Sequence, residues 1–498
     1  MRHQLAFKIV LGICALVYLL SAKGYIEVSD TSFSLETAEA LLTRGRLDIP
    51  VAKEYTRTGR DGLSYSKYGI GLALYYLPIV AVGDRVAHIT RRPASEVSGF
   101  LISFANIPFA LIALICLQRI LRILGVDGLW ASWIPFGMAL GTLMWRYAVY
   151  DFSEEMQLCL LTLAFCCCLE GTRRFLIGAG VALAMLMLVK VVYIIVVPIF
   201  LFYVLARTSR GDRRWRSLLL VALPVLLACA FLAGLNFYRF GNVFESGYGQ
   251  EAGKFYLGQL PYAVPRLLGS LDKGLFVFCP ILMFGALGWK EFVHKHKWEA
   301  ATCAALLLCN LLLGASWYSW GGGLAWGPRL LVPAIPLWML PSAFFLQRRR
   351  RAFAWVFGIV TVISVVTQIP GVLVKNQEIY NIKEYSLTSE ERVHASSDYA
   401  SAYILLWHKL TAGDEIYSTG EFGAPGSRTI DMSQNRSVLG LNVWTEHVAR
   451  QVGLPFLRWV PLIVVAILLS AGFGVVTVRL RATRLTSGLV TMQAVDGS

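Results

Sequence analysis

Asp30 opens the first polar stretch of the chain, in Val28-Ser29-Asp30-Thr31, and Lys67 closes it, in Tyr65-Ser66-Lys67-Tyr68. A carboxylate at one end and an ammonium at the other suit a site that handles a hydroxyl and a phosphate. The first can take a proton from an acceptor hydroxyl; the second can neutralise phosphate oxygens. Each also has an ordinary alternative. Asp ahead of a helix is a common N-cap, a part that Thr31 and Ser32 can equally play, and a lysine beside an apolar segment can snorkel to lipid headgroups. A second acidic group follows in Asp151-Phe152-Ser153-Glu154-Glu155, three carboxylates in five residues ahead of an apolar run. It can orient a sugar, bind a divalent cation, or do no more than complement a helix N-terminus.

Lys190 interrupts Leu186-Met187-Leu188-Val189-Lys190-Val191-Val192, and a lone charge inside an apolar stretch is a functional candidate unless the chain turns there. The most distinctive run is Trp317-Tyr318-Ser319-Trp320-Gly321-Gly322-Gly323-Leu324-Ala325-Trp326-Gly327-Pro328-Arg329. Its three tryptophans can form an interfacial belt, but a belt requires neither three consecutive glycines nor an arginine opening the next apolar run. Close backbone approach at glycine and a guanidinium that clamps oxygens in pairs fit a phosphate site at Arg329. Arg239, Glu245, Tyr248 and Lys273 lie in the intervening polar loop, and Lys190, Arg239, Trp320 and Tyr248 are candidate substrate contacts. No P-loop, H-E-x-x-H, Rossmann glycine fingerprint or G-x-S-x-G elbow occurs, which removes support from nucleotide-driven transport and hydrolase chemistry.

The elements that must hold these residues are membrane helices. Of 498 residues, 56% are hydrophobic and 15% charged, where a soluble chain would carry about 25% charged. Apolar runs of span length recur throughout, and in lipid a backbone satisfies itself as helix; the alternation of a barrel is missing. The net charge of +15 comes from short basic runs between apolar spans, which are orientation signals, so no nucleic-acid partner is expected. All ten cysteines lie in or beside apolar stretches, which predicts neither a disulfide framework nor a metal cluster.

The first apolar run is flanked by Arg2, His3 and Lys8 and ends near Ala22. Leu20-Ser21-Ala22 is a poor small-x-small cleavage site, so the run is read as an uncleaved helix with a cytoplasmic N-terminus. If Gly69 to Ile89 crossed the bilayer, the basic runs at Arg119/Arg122, Arg173/Arg174, Arg207 to Arg216 and Arg348 to Arg351 would all fall outside. Laid along the outer surface, it leaves only Arg85, Arg91 and Arg92 there, so a surface helix is expected. Further spans are expected at 97–117, 129–147, 155–170, 175–189, 191–206, 217–237, 274–289, 299–316, 329–346, 353–371 and 457–478, about twelve in all. Outer loops then gather the polar residues on one face. The division is a membrane module 1–371 with its first outer loop at 23–96, a small extracytoplasmic subdomain 372–456, and a last helix with a cytoplasmic tail over 457–498. A glycosylation sequon stands at Asn435-Arg436-Ser437.

Taken in order, six short pieces resemble the GT-C superfamily, in particular bacterial relatives of dolichyl-phosphate-mannose–protein mannosyltransferases and of lipid A aminoarabinose transferases. They are Ser29-Asp30 before a helix ending Glu39-Ala40-Leu41-Leu42; Tyr65-Ser66-Lys67-Tyr68; Phe152-Ser153-Glu154; Leu188-Val189-Lys190; Asn236-Phe237-Tyr238-Arg239-Phe240-Gly241; and Trp317 to Arg329. The resemblance implies an all-α polytopic fold with outer juxtamembrane helices, one of them Gly69 to Ile89. It implies that Asp30 is the catalytic acid of the first outer loop, that Glu154, with Asp151 beside it, holds the second acidic position, and that Lys67 and Arg329 lie near a donor phosphate. Two departures stand out: Tyr68-Gly69-Ile70-Gly71 where relatives often have prolines, and Asp30-Thr31 where they often have an acidic pair, which weakens a metal-binding role there.

The expected function is inverting transfer of a monosaccharide from a polyprenyl-phosphate carrier to an extracytoplasmic glycan, lipid or protein. Its setting would be the outer side of the inner or plasma membrane. No metal ligand set and no cofactor are fixed by the residues, and a divalent cation stays open. The alternatives are a flippase or transporter of lipid-linked glycans, which predicts midplane charges and paired repeats, and a non-catalytic envelope assembly protein, in which Asp30 is only a cap.

Overall fold

A computed structural model describes residues 2–50, 56–208, 211–379, 397–411, 441–451, 459–460, 463–468, 470–472 and 474. The sequon at Asn435, most of the span expected at 457–478 and much of 372–456 lie outside the described residues. Every apolar run before residue 372 that reads as a span is helical. The chain runs through α1 (Arg2–Ser21), α2 (Ser29–Arg44), α3 (Ile70–Thr90), α4 (Ala94–Ile102), α5 (Ile107–Ile123), α6 (Trp130–Gly141), α7 (Leu143–Ala148), α8 (Glu154–Glu170), α9 (Arg173–Val189), α10 (Val197–Arg207) and α11 (Asp212–Phe240). It continues through α12 (Leu260–Gly269), α13 (Leu275–Phe278), α14 (Met283–Lys295), α15 (Lys297–Ser316), α16 (Ile335–Met339), α17 (Ser342–Arg348), α18 (Arg350–Leu373), α19 (Asp398–Thr411) and α20 (Trp444–Gln451). This is an all-α, multi-pass membrane protein. Seven helical stretches among the described residues have the length and composition of a span. The 17-residue α8 and α9, about 26 Å long each, are packed inside the bundle.

Several expected spans are broken, for local reasons. Pro280 follows α13, and Pro333, Pro336 and Pro341 cut 329–348 into a 3-10 stretch and two short helices, because proline removes a donor and crowds the preceding turn. Lys190 leaves the helical region altogether (φ −152°), so α9 ends there and a 3-10 turn, Val191–Val196, starts the next element. The chain does turn at this lysine.

Helix direction places the polar residues. The C-terminal ends of α1, α7, α9, α11 and α15 and the N-terminal ends of α2 and α8 share one end of the bundle. The opposite end carries Arg119 with Glu170, Arg207 with Glu299, and Arg348 with Glu291. α8 sits centrally against α5, α9 and the 329–334 stretch, while α11 flanks α9 from outside.

α3 has the length and composition of a span, yet its contacts keep it at the polar end. It starts beside Leu188 and Val189, and its Tyr75 hydroxyl donates to the Ala105 carbonyl at 2.9 Å. Further along, its Gly83 lies against Ser98 of α4, which itself approaches Ile26 in the α1–α2 connection. β1 (Thr56–Thr58) and β2 (Ser64–Ser66) form an antiparallel hairpin at this end, pairing Thr56 with Ser66. The amide of Arg60 in its turn donates to the Arg239 carbonyl at the end of α11.

The same end is stapled by the segment around 441–444. The Trp444 amide donates to the Ala22 carbonyl and the Asn442 amide to the Leu373 carbonyl, each at 2.8 Å. Tyr25 donates to the Asn442 side chain at 2.6 Å, and the Asn376 amide donates to Glu27 at 3.2 Å.

Candidate active site

Four segments distant in sequence deliver charged side chains to one place. Asp30 sits in the first turn of α2, whose N-cap is Val28, so its carboxylate is not capping the helix. It faces Arg329 instead, Oδ2 to Nη1 at 3.9 Å, with the Tyr68 phenol within reach of its charge. Burial and the Asp30 charge push the Tyr68 phenol up, which keeps it a donor. Glu154, the first residue of α8, is buried, with Oε1 4.0 Å from Arg329 Nε and 4.0 Å from Lys190 Nζ. Its Oε2 has no hydrogen-bond partner among the described residues. Burial pushes the Lys190 ammonium down against the opposing pull of the Glu154 charge. Two carboxylates thus face two cations across gaps longer than hydrogen bonds.

Two glycine-dependent approaches make this convergence possible. A Cβ on Gly69 would stand 2.2 Å from the Val189 carbonyl oxygen, and one on Gly71 2.8 Å from the Leu188 carbonyl carbon. Only glycine lets the start of α3 lie this closely on the end of α9. In the second, Gly322 (φ +76°) packs under Arg329, where a Cβ would be 2.7 Å from its Cγ. The guanidinium rests over the Phe152 ring at 4.5 Å.

Lys67 borders the cluster. Its Nζ pairs with Glu251 at 2.9 Å and stands 5.8 Å from the Tyr68 ring and 5.7 Å from the Tyr248 ring. Burial, then the Asp30 charge, pushes the Tyr248 phenol up; Arg329, Glu251 and Glu154 also act on it, so it lies amid the site.

The remaining candidates go elsewhere. Asp151 turns away from Arg329, towards Lys23 and the backbone ahead of α2. Arg239 is buried as a brace, donating to the Ser66 carbonyl at 3.2 Å and to Asn236 at 2.9 Å. Trp320 packs edge-on against Tyr262 of α12, ring centres 5.7 Å apart. Lys273 donates to the Gly323 and Ala325 carbonyls and pairs with Asp398 at 2.8 Å, fixing the glycine-rich stretch that leads to Arg329. Among the described residues no three of His, Cys, Asp and Glu stand where they could share a metal ion. Within the 151–155 segment, Asp151 faces Lys23 while Glu154 faces Arg329 and Lys190.

Sequence reading named Tyr68 and Phe152 only as parts of short motifs, and passed over Glu251. It also passed over the buried group beneath the site. There Lys23 pairs with Glu27 at 3.0 Å and Asp151 at 3.2 Å, and the Arg146 guanidinium lies 3.8 Å from the centre of the Tyr150 ring. Burial opposes the charged form of Glu27, but Lys23 and Arg146 outweigh it and hold the carboxyl down to about 2. Burial lowers Lys23 to about 8 despite its two carboxylate partners. The one signal for this group was a lysine and a glutamate four residues apart directly after an apolar run.

No family model and no curated protein matches the chain. Among solved structures, it is similar to ArnT from Cupriavidus metallidurans bound to undecaprenyl phosphate. The TM-score is 0.54 at 14% identity, with 91% of this chain and 77% of that chain covered. The apo state of the same protein gives a TM-score of 0.51 at 13% identity, with 91% and 76% covered. The likeness is one of fold, and it agrees with the all-α polytopic membrane fold expected from the sequence.

Proposed function

We propose that the protein is a glycosyltransferase that moves a monosaccharide from a polyprenyl-phosphate carrier to an acceptor on the outer side of the cell membrane. The observation that carries this is the meeting of Asp30, Glu154, Lys190 and Arg329, from four separate segments, at the polar end of a membrane bundle. In ArnT, the protein with a similar fold, the bound molecule is undecaprenyl phosphate.

The acceptor oxygen attacks the anomeric carbon, its proton passes to Asp30, and the bond from that carbon to the phosphate oxygen breaks, with inversion. The donor diester leaves as a lipid phosphate monoester with one more negative charge. Arg329 and Lys67 stabilise that charge, with Lys190 behind them, so no proton is needed on the leaving group. Tyr68, within reach of the Asp30 charge, orients it. Glu154 holds Arg329 and Lys190 in place and has a free oxygen for a sugar hydroxyl. α3 lies along the outer surface, and the basic end of the bundle faces the cytoplasm. A donor of this kind keeps its isoprenoid in lipid and its sugar in water, which a polar end on an apolar bundle accommodates.

The experiment is a proteoliposome assay with a panel of radiolabelled undecaprenyl-phosphate-linked hexoses, pentoses and amino sugars, supplied with an envelope extract as acceptor. Transfer by the wild-type protein that Asp30→Asn abolishes is the expected result. Transfer of lipid-linked sugar across the bilayer with no new glycosidic bond would replace the proposal with a transporter.

A further inference from the structure

The backbone on both sides of Asp30 is held from outside its own helix. Val28, which precedes α2, offers no capping side chain. Asp151 supplies the contact from 123 residues away: its Oδ2 accepts from the Val28 amide at 2.9 Å and from the Glu27 amide at 3.1 Å. Its Oδ1 pairs with Lys23 at 3.2 Å. On the other side of Asp30, the buried Thr31 hydroxyl donates to the Asp151 carbonyl. Asp30 is therefore bracketed, one arm at 27–28 and one at 31, by a single residue of the α7–α8 turn.

We infer that Asp151 is a positioning residue for Asp30, a clamp that fixes the first turn of α2 relative to Arg329. It rests on the transfer reading above. Two features separate it from a second acid facing substrate. Its side chain is 1% exposed and both oxygens are engaged, leaving no lone pair directed at a sugar. Glu154, three residues on, retains an oxygen with no hydrogen-bond partner among the described residues and contacts Arg329 directly. The turn that holds both is itself anchored: the Asn106 carboxamide donates to the carbonyls of Tyr147, Tyr150 and Phe152 at 3.2, 2.6 and 2.7 Å. One rigid turn thus carries the clamp on the Asp30 helix and the carboxylate that orders Arg329. The relative position of base and phosphate cation is set by the geometry of residues 151–154. Charge-assisted bonds to backbone amides are strong and directional, and sub-ångström placement is what a base in a transfer reaction needs.

The test is Asp151→Asn in the full-length protein in nanodiscs. Asparagine keeps the size and one acceptor but loses the charge and the second acceptor. Amide hydrogen exchange in the peptide 24–31 is expected to speed at least tenfold. The dissociation constant for undecaprenyl phosphate and the KM for the donor turned over by wild type should stay within threefold, while kcat falls at least tenfold. Unchanged exchange overturns the clamp, and faster exchange with unchanged kcat overturns its role in positioning. Loss of undecaprenyl phosphate binding along with kcat would reduce it to a general structural residue. If Asp151→Asn does not fold, Thr31→Val removes the other arm and is read the same way. Wild-type protein that turns over no donor sinks the transfer reading alone; the exchange measurement still decides the clamp.

Discussion

The two ends of the bundle treat ion pairs in opposite ways. At the basic end, Arg207 meets Glu299 at 3.4 Å and Arg348 meets Glu291 at 3.2 Å, but the arginine side chains are 55% and 69% exposed. At the polar end, Arg329 stands 3.9 Å from Asp30 and 4.0 Å from Glu154, and its side chain is only 21% exposed. Proximity and energetic weight are therefore separate matters. Close, solvated pairs are screened and contribute little; sheltered charges interact strongly even when held slightly apart. The exposed pairs of the basic end are satisfied by solvent, whereas the polar end holds Glu154 and Arg329 short of a hydrogen bond to one another, a gap that the proposed donor phosphate or sugar hydroxyl would complete.

The largest effect that would break this contrast is expected from Asp30→Asn, which removes the proton acceptor and leaves the shape. Transfer should fall on the order of 10²–10⁴-fold, with undecaprenyl phosphate binding, followed by isothermal titration, almost unchanged. Arg329→Ala comes next: on the order of 10²–10³-fold in kcat, together with weaker undecaprenyl phosphate binding, because Asp30 and Glu154 then lose the cation that faces them both. Retention of full binding would move the donor phosphate away from Arg329.

A pH measurement sharpens the comparison further. Glu27 is held down to about 2 in the folded protein against an ordinary 4.5, so its contribution to stability is complete above pH 4.5 and is lost as pH falls towards 2. Thermal unfolding of wild type should show that acid limb and Glu27→Gln should flatten it. The smallest effect is predicted at the other end. Arg348→Gln should shift Tm by less than about 2 °C and leave transfer intact; a larger loss would mean that the exposed pairs are not screened as described.

Much of this architecture was legible in the residue order, and for a physical reason. Apolar runs can satisfy their backbone in lipid only as helices, so their positions followed from composition, including the end of α9 at Lys190. Asp30, Glu154, Lys190 and Arg329 stood out as charges at the ends of such runs, and the structure brings those four together. What stayed hidden depends on direction and on distant partners. Asp151 and Glu154 are three residues apart and look equivalent in sequence; only the turn before α8 points one at Lys23 and the other at Arg329. Glu251 meets Lys67 across 184 residues, a pairing that no local pattern signals. Arg239 and Trp320 carry side chains suited to sugar contact, but each is taken up by neighbouring structure.

The staple between Trp444 and Ala22, with Asn442 beside Glu27, has a consequence for biogenesis. The ribosome must deliver more than four hundred residues after Ala22 before that seam can close. Until then the segment leading into the Asp30 helix lacks one of its neighbours, so nascent and truncated chains pass through the insertion machinery with that seam open.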